Sequence, residues 1–433
     1  MRVQLSKLMA AIILLSSSIF TLTYPLANQA FAATTYTFTN AGATGMYGPT
    51  QAQVNSAYSN TTLNGQVVVS GSGVQEWSPP LSGQYQINIY GAAGGGGKIG
   101  SGGSGAYLQI RVSLNAGETL SIVVGQKGAD SNTAAAYPGG AGGGGSFIYK
   151  NSDNSYIAVA GGGGGGAGAS AALFTSQTTA NGKYDTTTGS TVNISGGYIA
   201  LGGVGGEGGG KSNRINYYGG PGAGINSDGV YSYSGQGKSR INGWWGGWAS
   251  LCMYPSKGGF GGGGGAGCDS ATYNSFGWAG GGGGYSGGAA GGNGGNGDSQ
   301  YGGGGGSYYT GTLITGQSGN NSGHGLVQFI TVDPTATTNS ISITGNPISG
   351  EYNKPLTVTA NVSNAGKVTF TENGRKIAGC IAKIALTSAS CTWKPRIRGS
   401  VQIKATLIPT DNAYASSTSS PVNIAIIARS TPR

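Results

Sequence analysis

Two glycine-rich motifs in this chain have the residue types of catalytic loops. Residues 205–212 read Gly-Gly-Glu-Gly-Gly-Gly-Lys-Ser, the letters of a phosphate-binding loop, and residues 284–288 read Gly-Tyr-Ser-Gly-Gly, the letters of a nucleophile elbow. A phosphate-binding loop needs a buried strand before it and a helix after it, so that amides and the helix N-terminus face the phosphates. Residues 213–221 read Asn-Arg-Ile-Asn-Tyr-Tyr-Gly-Gly-Pro and predict no helix. In a chain with 90 glycines such matches are expected by accident.

Ser286 would need a base, and the sequence contains one histidine, His324. The surroundings of Ser286 do not predict the strand-to-helix unit of a nucleophile elbow, and Gly323-His-Gly325 predicts a turn before a strand. The strand lysine, His-Arg-Asp loop and Asp-Phe-Gly motif of a protein kinase are absent. Acidic residues are too scattered for a glycosidase pair or a calcium loop. We therefore expect a non-catalytic protein without a cofactor, and a hydrolase using Ser286 and His324 is the catalytic alternative.

The sequence contains four cysteines, Cys252, Cys268, Cys380 and Cys391. In an exported chain four cysteines most economically form two disulfides, for which three pairings exist. We expect the pairings that are local in sequence, Cys252 with Cys268 and Cys380 with Cys391. A zinc site is the competing interpretation, but the absence of a Cys-x-x-Cys motif and the single histidine argue for no metal.

Two groups of side chains are candidates for binding. The first is the cluster Trp244-Trp-Gly-Gly-Trp248, which also contains Trp245; exposed indoles would stack on sugars or contact a partner, whereas buried ones would cover the glycine segments as local core. The second is basic: Arg375, Lys376, Lys394, Arg396 and Arg398. These charges could form a face for an anionic polymer, or could only confer solubility.

The N-terminal residues have the pattern of a signal peptide. Arg2 and Lys7 form a basic start, residues 8–22 are largely apolar, and Ala30-Phe-Ala32 has the small-x-small cleavage pattern. We expect residues 1–32 to be removed, with a retained N-terminal anchor as the alternative. Since no other apolar run approaches the roughly 18 residues of a membrane span, we expect an extracellular or surface-associated mature chain without a transmembrane segment.

The charge of the chain divides it in two. Residues 33–333 carry ten basic and ten acidic residues, whereas residues 334–433 carry eleven basic and three acidic ones, a net charge of +8. Glycine blocks also end near residue 333. We therefore predict a glycine-rich body, residues 33–333, and a basic tail, residues 334–433.

The body alternates strand-like runs with glycine blocks. Residues 85–90 and 106–114 alternate polar and apolar side chains with period two, which predicts strands. Four shorter apolar runs also predict strands: residues 120–124, 146–149, 156–160 and 325–330. Such strands predict an antiparallel sandwich or jelly roll. Scarce charges and frequent aromatic residues argue against disorder of the glycine blocks. We expect the blocks to form polyglycine-II helices that hydrogen-bond one another and so satisfy their backbone groups.

Several motifs of the body resemble a known family. The tract at residues 36–55, Gly73-Val-Gln-Glu-Trp77, Gly91-Ala-Ala-Gly-Gly95 and Val123-Val-Gly-Gln126 resemble, in this order, the extracellular glycine-rich domain of the anaplastic lymphoma kinase and leukocyte tyrosine kinase receptors. The resemblance covers about residues 36–330. It implies a tumour-necrosis-factor-like sandwich with packed glycine helices, and it supports the pairing of Cys252 with Cys268. Ala41 and Val54 stand where the receptors carry cysteines, and no kinase region is present.

The tail predicts a second, small β-sandwich. Residues 356–362, 367–372, 401–408 and 422–426 alternate with period two, and Asn373-Gly374 is a hairpin turn signal. The pieces around Cys380, Cys391-Thr-Trp393 and residues 413–417 resemble bacterial immunoglobulin-like repeats of surface proteins. That resemblance implies a spacer or adhesive module. The predicted fold class is thus all-β throughout.

These features predict a secreted or cell-surface adhesive or structural protein without catalytic activity. The glycine-rich body would present a rigid surface, and the partner would be a cell-envelope polymer, a surface glycan or a protein. We expect no specific nucleic acid partner. The alternative is a soluble ligand-binding module analogous to a receptor ectodomain.

Overall fold

A computed structural model of the chain describes ten stretches of residues. They are residues 33–131, 138–168, 180–212, 218–248, 255–267, 278–292, 300–332, 341–344, 349–410 and 416–428. The predicted signal peptide lies outside the described residues, as does the expected Cys252–Cys268 disulfide. The boundary between body and tail stays a prediction.

Short strands make up most of the regular structure. The described strands of the body are β1 (Thr35–Phe38), β2 (Val68–Ser70), β3 (Val74–Trp77), β4 (Gly83–Tyr90), β5 (Gly105–Leu114), β6 (Leu120–Val123), β7 (Ser146–Lys150), β8 (Tyr156–Ala160), β9 (Val192–Ile194), β10 (Tyr198–Ala200), β11 (Tyr308–Tyr309), β12 (Thr312–Asn321) and β13 (Leu326–Thr331). The described strands of the tail are β14 (Ile341–Thr344), β15 (Ser349–Glu351), β16 (Leu356–Val362), β17 (Gly366–Glu372), β18 (Arg375–Lys376), β19 (Lys383–Ala385), β20 (Ser388–Trp393), β21 (Gly399–Pro409), β22 (Ser417–Thr418) and β23 (Val422–Ile427). Both segments are all-β, as expected.

The body is built on two antiparallel sheets with a shared hydrophobic core. The first has the strand order β1-β13-β4-β5-β12, and the second has the order β11-β8-β7-β6-β3-β2. Ile87 and Ile110 from the first sheet and Ile122 and Ile148 from the second are fully buried in one cluster. The period-two alternation of β4 and β5 follows from this packing, because only one face of the first sheet contributes to the core.

The second sheet is buried on both faces. Its outward side chains, among them Val123 and Phe147, pack in a separate cluster with Trp244 and Phe260 from the glycine-rich segments. This double burial explains why the β6 and β8 sequences are almost continuously apolar instead of alternating. The glycine-rich segments thus cover the sheet as a third layer.

Hydrogen bonds within the glycine-rich layer repeat every three residues. In the block at residues 161–166, Gly163 N donates to Ala92 O (2.8 Å) and Gly166 N donates to Gly95 O (2.8 Å). The same three-residue step links this block to five described neighbours, at residues 92–95, 103–106, 140–143, 280–283 and 302–305. The backbone groups of this block are thus bonded to neighbouring segments, with a period of three residues.

Close backbone contact makes glycine necessary in this layer. A methyl group on Gly163 would lie 1.9 Å from Gly103 O, and one on Gly95 would lie 1.9 Å from Ala129 O. Because the obstructing atoms belong to the backbone, no side-chain rotation would relieve such clashes. Glycine here permits the close approach of neighbouring backbone segments.

One helix in the described residues was not predicted. α1 (Gln51–Tyr58) begins with a capping box, in which the Thr50 side chain accepts from Gln53 N and the Gln53 side chain accepts from Thr50 N. It buries Val54 and Tyr58 against the core. Short 3₁₀ turns occur at Ser195–Gly197 and Arg240–Asn242.

A buried arginine lies on the face of the first sheet that points away from the core. Arg111 on β5 is opposite Gln86 on β4 and Thr312 on β12, and its side chain is 4% exposed. None of its three guanidinium nitrogens has a hydrogen-bond partner among the described residues. Burial lowers the pKa of Arg111 below its ordinary value.

The tail has its own two sheets and its own core. One has the order β14-β16-β20, and the other has the order β15-β23-β21-β17-β18, with β19 also paired to β17 and β22 to β21. Their core includes Phe370 and a disulfide between Cys380 and Cys391, which are almost fully buried. Asn373 and Gly374 both have positive φ, as the predicted hairpin turn between β17 and β18 requires.

Candidate binding surface

The segment that resembles a phosphate-binding loop has its polar groups occupied by the protein itself. Gly206 N donates to Ser286 Oγ (3.0 Å), and Lys211 Nζ donates to the Tyr218 hydroxyl (2.9 Å) while lying over its ring. Amides that are already bonded within the protein cannot form a phosphate cradle. The motif at residues 205–212 is therefore a structural turn.

The two side chains of the hydrolase alternative have separate partners. Ser286 is fully buried and its hydroxyl oxygen accepts the Gly206 amide. His324 Nδ1 accepts the amide of Lys127 (3.0 Å). Burial, and then the charge of Lys127, lower the pKa of His324 below its ordinary value, so the ring is neutral at pH 7. Within the described residues, no hydrogen bond joins Ser286 to His324.

Two further features are absent from the described residues, a cluster of metal-ligating side chains and a membrane-spanning helix. No group of three or more histidine, cysteine, aspartate or glutamate side chains in these stretches could hold a metal ion. No helix in the same stretches is long and apolar enough to cross a bilayer.

The tryptophan cluster is divided between core and surface. Trp244 is 1% exposed and packs against Phe147, with the ring centres 4.0 Å apart and the ring planes tilted by 31°. Among the three tryptophans predicted as candidate binding residues, Trp244 therefore belongs to the core, and its backbone has a φ of +61°. Trp245 and Trp248 are 40% and 45% exposed. The positive φ of Trp244 is a strained conformation for a bulky residue, and such strain persists only where surrounding contacts hold it.

Trp245 separates two neighbouring grooves. The first has a volume of about 630 Å³ and is lined by the β2–β3 turn, by Tyr149 and by residues 238–245. The second has a volume of about 400 Å³ and lies between Met46, residues 231–236 and residues 245–248. Both volumes are in the range of small-ligand sites. Trp245 and Lys238 line both grooves, so the two form one continuous surface.

Further aromatic rings surround the two exposed tryptophans. Tyr47 packs edge-on against Trp245 with ring centres 5.1 Å apart, and Tyr231 packs edge-on against Tyr233 at 5.8 Å. These three tyrosines are 46–62% exposed. We call Tyr47, Tyr231, Tyr233, Trp245 and Trp248 the aromatic surface.

Backbone hydrogen bonds fix the segment that carries the two tryptophans. Gly246 N donates to Met46 O (2.9 Å), and Gly247 N donates to Gly263 O (2.8 Å). A methyl group on Gly246 would lie 1.9 Å from Gly258 O. The Trp-Gly-Gly-Trp spacing therefore places two glycines in the packed layer and the flanking rings at its surface.

Asp228 holds the loop that forms the wall of the first groove. Its carboxylate accepts from Ser239 N (2.8 Å) and Ser239 Oγ (3.0 Å), from Asn242 Nδ2 (3.0 Å) and from Lys238 Nζ (3.1 Å). Burial alone would raise the pKa of Asp228, but the hydrogen bonds from these groups outweigh it and hold the pKa below its ordinary value. The ionised carboxylate is thus part of the architecture of the groove.

The basic candidates of the tail are all exposed. Arg375 and Lys376 form β18, and Lys394, Arg396 and Arg398 follow β20. The Arg398 guanidinium lies 5.0 Å from the centre of the Tyr352 ring. No salt bridge involves these five side chains within the described part of the chain. Their charges are available to solvent.

The sequence did not single out three tyrosines of the aromatic surface, nor Asp228 behind the first groove. Tyr47 lies in the tract that carried the family resemblance, and Tyr231 and Tyr233 alternate with buried serines in Tyr-Ser-Tyr-Ser. That alternation is a signal for rings on one face. Asp228 has no local signal, because its partners lie 10–14 residues away.

Comparison with known proteins gives limited matches. No protein-family model matches the chain. It is 41% identical over 100 residues to the mouse leukocyte tyrosine kinase receptor, a match that covers 22% of this chain and 11% of the receptor. Among solved structures, fibronectin(III)-like modules of Clostridium thermocellum CbhA align with 21% of this chain and 98% of their own length, at 21% identity and a TM-score of 0.18. The chain thus spans only a small part of the length of the receptor that it matches.

Proposed function

We propose that this protein is a secreted or cell-surface adhesive protein without catalytic activity, and that the aromatic surface binds its partner. The observation that carries the proposal is the pair Trp245 and Trp248, which are exposed on a segment clamped into the glycine-rich layer. Large exposed rings on a rigid backbone are typical binding anchors, because little side-chain and loop freedom is lost on association.

The glycine-rich layer supports this role as a rigid scaffold. We interpret its three-residue hydrogen-bond repeat as a packed polyglycine-II array. A backbone bonded to several neighbours resists local opening, so amides of residues 161–166 should exchange slowly with solvent. Hydrogen exchange followed by mass spectrometry tests this, and free exchange across that block would contradict the packed array.

The basic tail supports a second contact, with an anionic polymer of the cell envelope. Five of its exposed cations, Arg375, Lys376, Lys394, Arg396 and Arg398, have no salt-bridge partners in the described residues. The net charge of +8 over residues 334–433 would hold the chain at a surface by attraction that weakens as salt rises. Export through the signal peptide at residues 1–32 belongs to the same proposal.

Binding of the purified full-length chain to intact cells tests both contacts. Trp245→Ala and Trp248→Ala should each weaken binding at high salt, where the contribution of the tail is screened. Replacing Lys394, Arg396 and Arg398 together by glutamine should weaken binding only at low salt. Leu201→Ala is the matched control, because Leu201 is an exposed apolar residue of the body (64%) that lines neither groove.

A soluble ligand-binding module is the second candidate function. It is favoured by the similarity to the leukocyte tyrosine kinase receptor. In this case the chain would not bind cells of its own source, and the tryptophan variants would instead lose a soluble partner. Cell binding that persists at high salt in both tryptophan variants would remove the aromatic surface from the adhesive proposal.

A further inference from the structure

The rings of the aromatic surface form a platform beside polar groove walls. Of the six tryptophans, all in described residues, Trp245 and Trp248 are exposed, whereas the other four are at most 8% exposed. Trp245 is supported from the side by Tyr47, and Lys257 Nζ lies 5.1 Å from the centre of the Trp248 ring. An indole held in this way offers a flat, weakly polar face to a ligand.

The groove walls add groups that exchange hydrogen bonds with hydroxyls. Ser70 and Ser72 from the β2–β3 turn line the first groove, and Gln236 lines the second. All three residues are half-buried, and their side chains make no hydrogen bonds within the described residues. Each groove thus combines an apolar ring with hydroxyl or amide groups that can donate and accept.

The two charged side chains that line the grooves already have hydrogen-bond partners within the protein. Lys238 and Arg240 are the charged residues among the described groove walls. Lys238 forms a salt bridge with Asp228 (3.1 Å), and Arg240 donates to Asn154 Oδ1 (2.9 Å). A ligand that needs a free cation or a carboxylate would have to break these contacts. The surface therefore matches an uncharged ligand.

From these observations we infer that the aromatic surface binds a neutral oligosaccharide chain. One face of a pyranose ring presents C–H groups that pack on an indole, while its hydroxyls lie at the edge and can reach serine and glutamine side chains. Two adjoining grooves that share Trp245 provide room for consecutive sugar units. This inference rests on the proposed function and specifies its ligand.

The test uses the full-length chain and defined probes: cellohexaose, chitohexaose, maltohexaose and laminarihexaose. Binding is followed by calorimetry and by protection of tryptophan fluorescence from acrylamide. We expect saturable binding of at least one probe, no dependence on salt, and slower quenching of the exposed tryptophans. Because a neutral ligand makes no ion pairs, high salt should leave the affinity unchanged.

Variants separate a sugar platform from a merely structural role. Trp245→Ala should weaken binding of the probe by at least about tenfold, as truncation of a binding anchor does. Trp245→Phe, which keeps a ring, should retain more affinity than Trp245→Ala, and Leu201→Ala should bind like the natural chain. Far-ultraviolet circular dichroism of each variant checks that the fold is kept. Probe binding that survives alanine at both Trp245 and Trp248 would place the sugar elsewhere and overturn the inference.

Failure of the inference can be distinguished from failure of the proposed function. If none of the four neutral probes binds but cell binding at high salt still requires Trp245, the surface recognises a protein or a charged polymer. That result overturns the sugar inference and leaves the adhesive function standing. If cell binding is also independent of Trp245, the proposed function fails with it.

Discussion

Replacing Gly95 by alanine should destabilise the body much more than replacing its neighbour Gly96. A methyl group on Gly95 would lie 1.9 Å from Ala129 O, whereas one on Gly96 would have Asp130 Oδ1 at 3.7 Å as its nearest atom. Both substitutions remove the same flexibility from the unfolded chain, an effect that favours folding by about 0.4–1 kcal/mol. The difference between the two variants therefore reports the native state alone.

The size of the effect follows from the contacts of Gly95. Non-bonded atoms essentially never approach a Cβ within 3.0 Å, so the backbones must separate by roughly 1 Å or more. This displacement would lengthen or break three hydrogen bonds: Gly95 N to Ala141 O (2.8 Å), Gly166 N to Gly95 O (2.8 Å) and Ala141 N to Ala129 O (3.0 Å). Each buried group left without a partner costs about 1–3 kcal/mol. For three such groups we expect Gly95→Ala to lower the free energy of unfolding by about 3–9 kcal/mol.

Equilibrium unfolding in urea, followed by tryptophan fluorescence, measures this difference. The natural chain, Gly95→Ala and Gly96→Ala are compared at equal protein concentration. The midpoint and the slope of each unfolding curve together give its free energy of unfolding in water. Since domains are stable by only about 5–15 kcal/mol, the expected loss is a large part of the total. A Gly95→Ala variant within 1 kcal/mol of Gly96→Ala would refute the claim that the layer is closely packed.

Three further predictions concern a buried charge, a titrating carboxylate and the disulfide. Arg111→Met should raise the free energy of unfolding by about 1–4 kcal/mol, because it removes a buried guanidinium that has no partner in the described residues; urea unfolding measures it. Ionised Asp228 should stabilise the groove loop fully at pH values above its unfolded pKa of about 3.9, and this stabilisation should be lost as the pH falls through its lower folded pKa. Acrylamide should therefore quench the exposed tryptophans faster in acid. Replacing Cys380 and Cys391 together by alanine should lower the stability of the tail by about 2–4 kcal/mol, measured by the unfolding transition of that segment.

Each of these predictions has a control. Arg111→Lys keeps the buried charge and should not stabilise the chain, and a loss of stability in Arg111→Met would show that the guanidinium has a partner. Asp228→Asn should abolish the acid-induced change in quenching; a change that persists in this variant would assign it to another group. Chemical reduction of the natural chain should reproduce the effect of the double alanine variant, and an unchanged transition would contradict a stabilising disulfide.

The sequence predicted the strands well where burial alone sets the pattern. The expected strand at residues 356–362 coincides with β16, and the run at residues 106–114 differs from β5 by one residue. Period-two alternation indicates a strand with one buried face. A short, continuous apolar run indicates a strand that is buried on both faces. β12 (Thr312–Asn321) was missed because its Thr, Gly, Gln and Asn residues lie at a sheet edge and show no such pattern.

The aromatic surface was only partly predictable from sequence, because it depends on backbone conformation. Nothing in the letters Trp-Trp distinguishes Trp244 from Trp245; the positive φ of Trp244 sends one ring into the core and leaves the next one outside. Asp228 reaches Ser239 and Asn242 only after the glycine-rich segments fold together. Contacts of this kind arise from tertiary structure, and local sequence carries no record of them.

The hydrogen-bond geometry of the glycine-rich layer has a mechanical consequence. A strand in a sheet is bonded on two sides within one plane, so a sheet shears more easily along some directions than along others. The block at residues 161–166 is bonded to five described neighbours placed around it. A load pulling sideways on this layer would therefore be shared by bonds in several directions at once, whichever way it pulls. Such a layer would transmit tension without a weak shear plane.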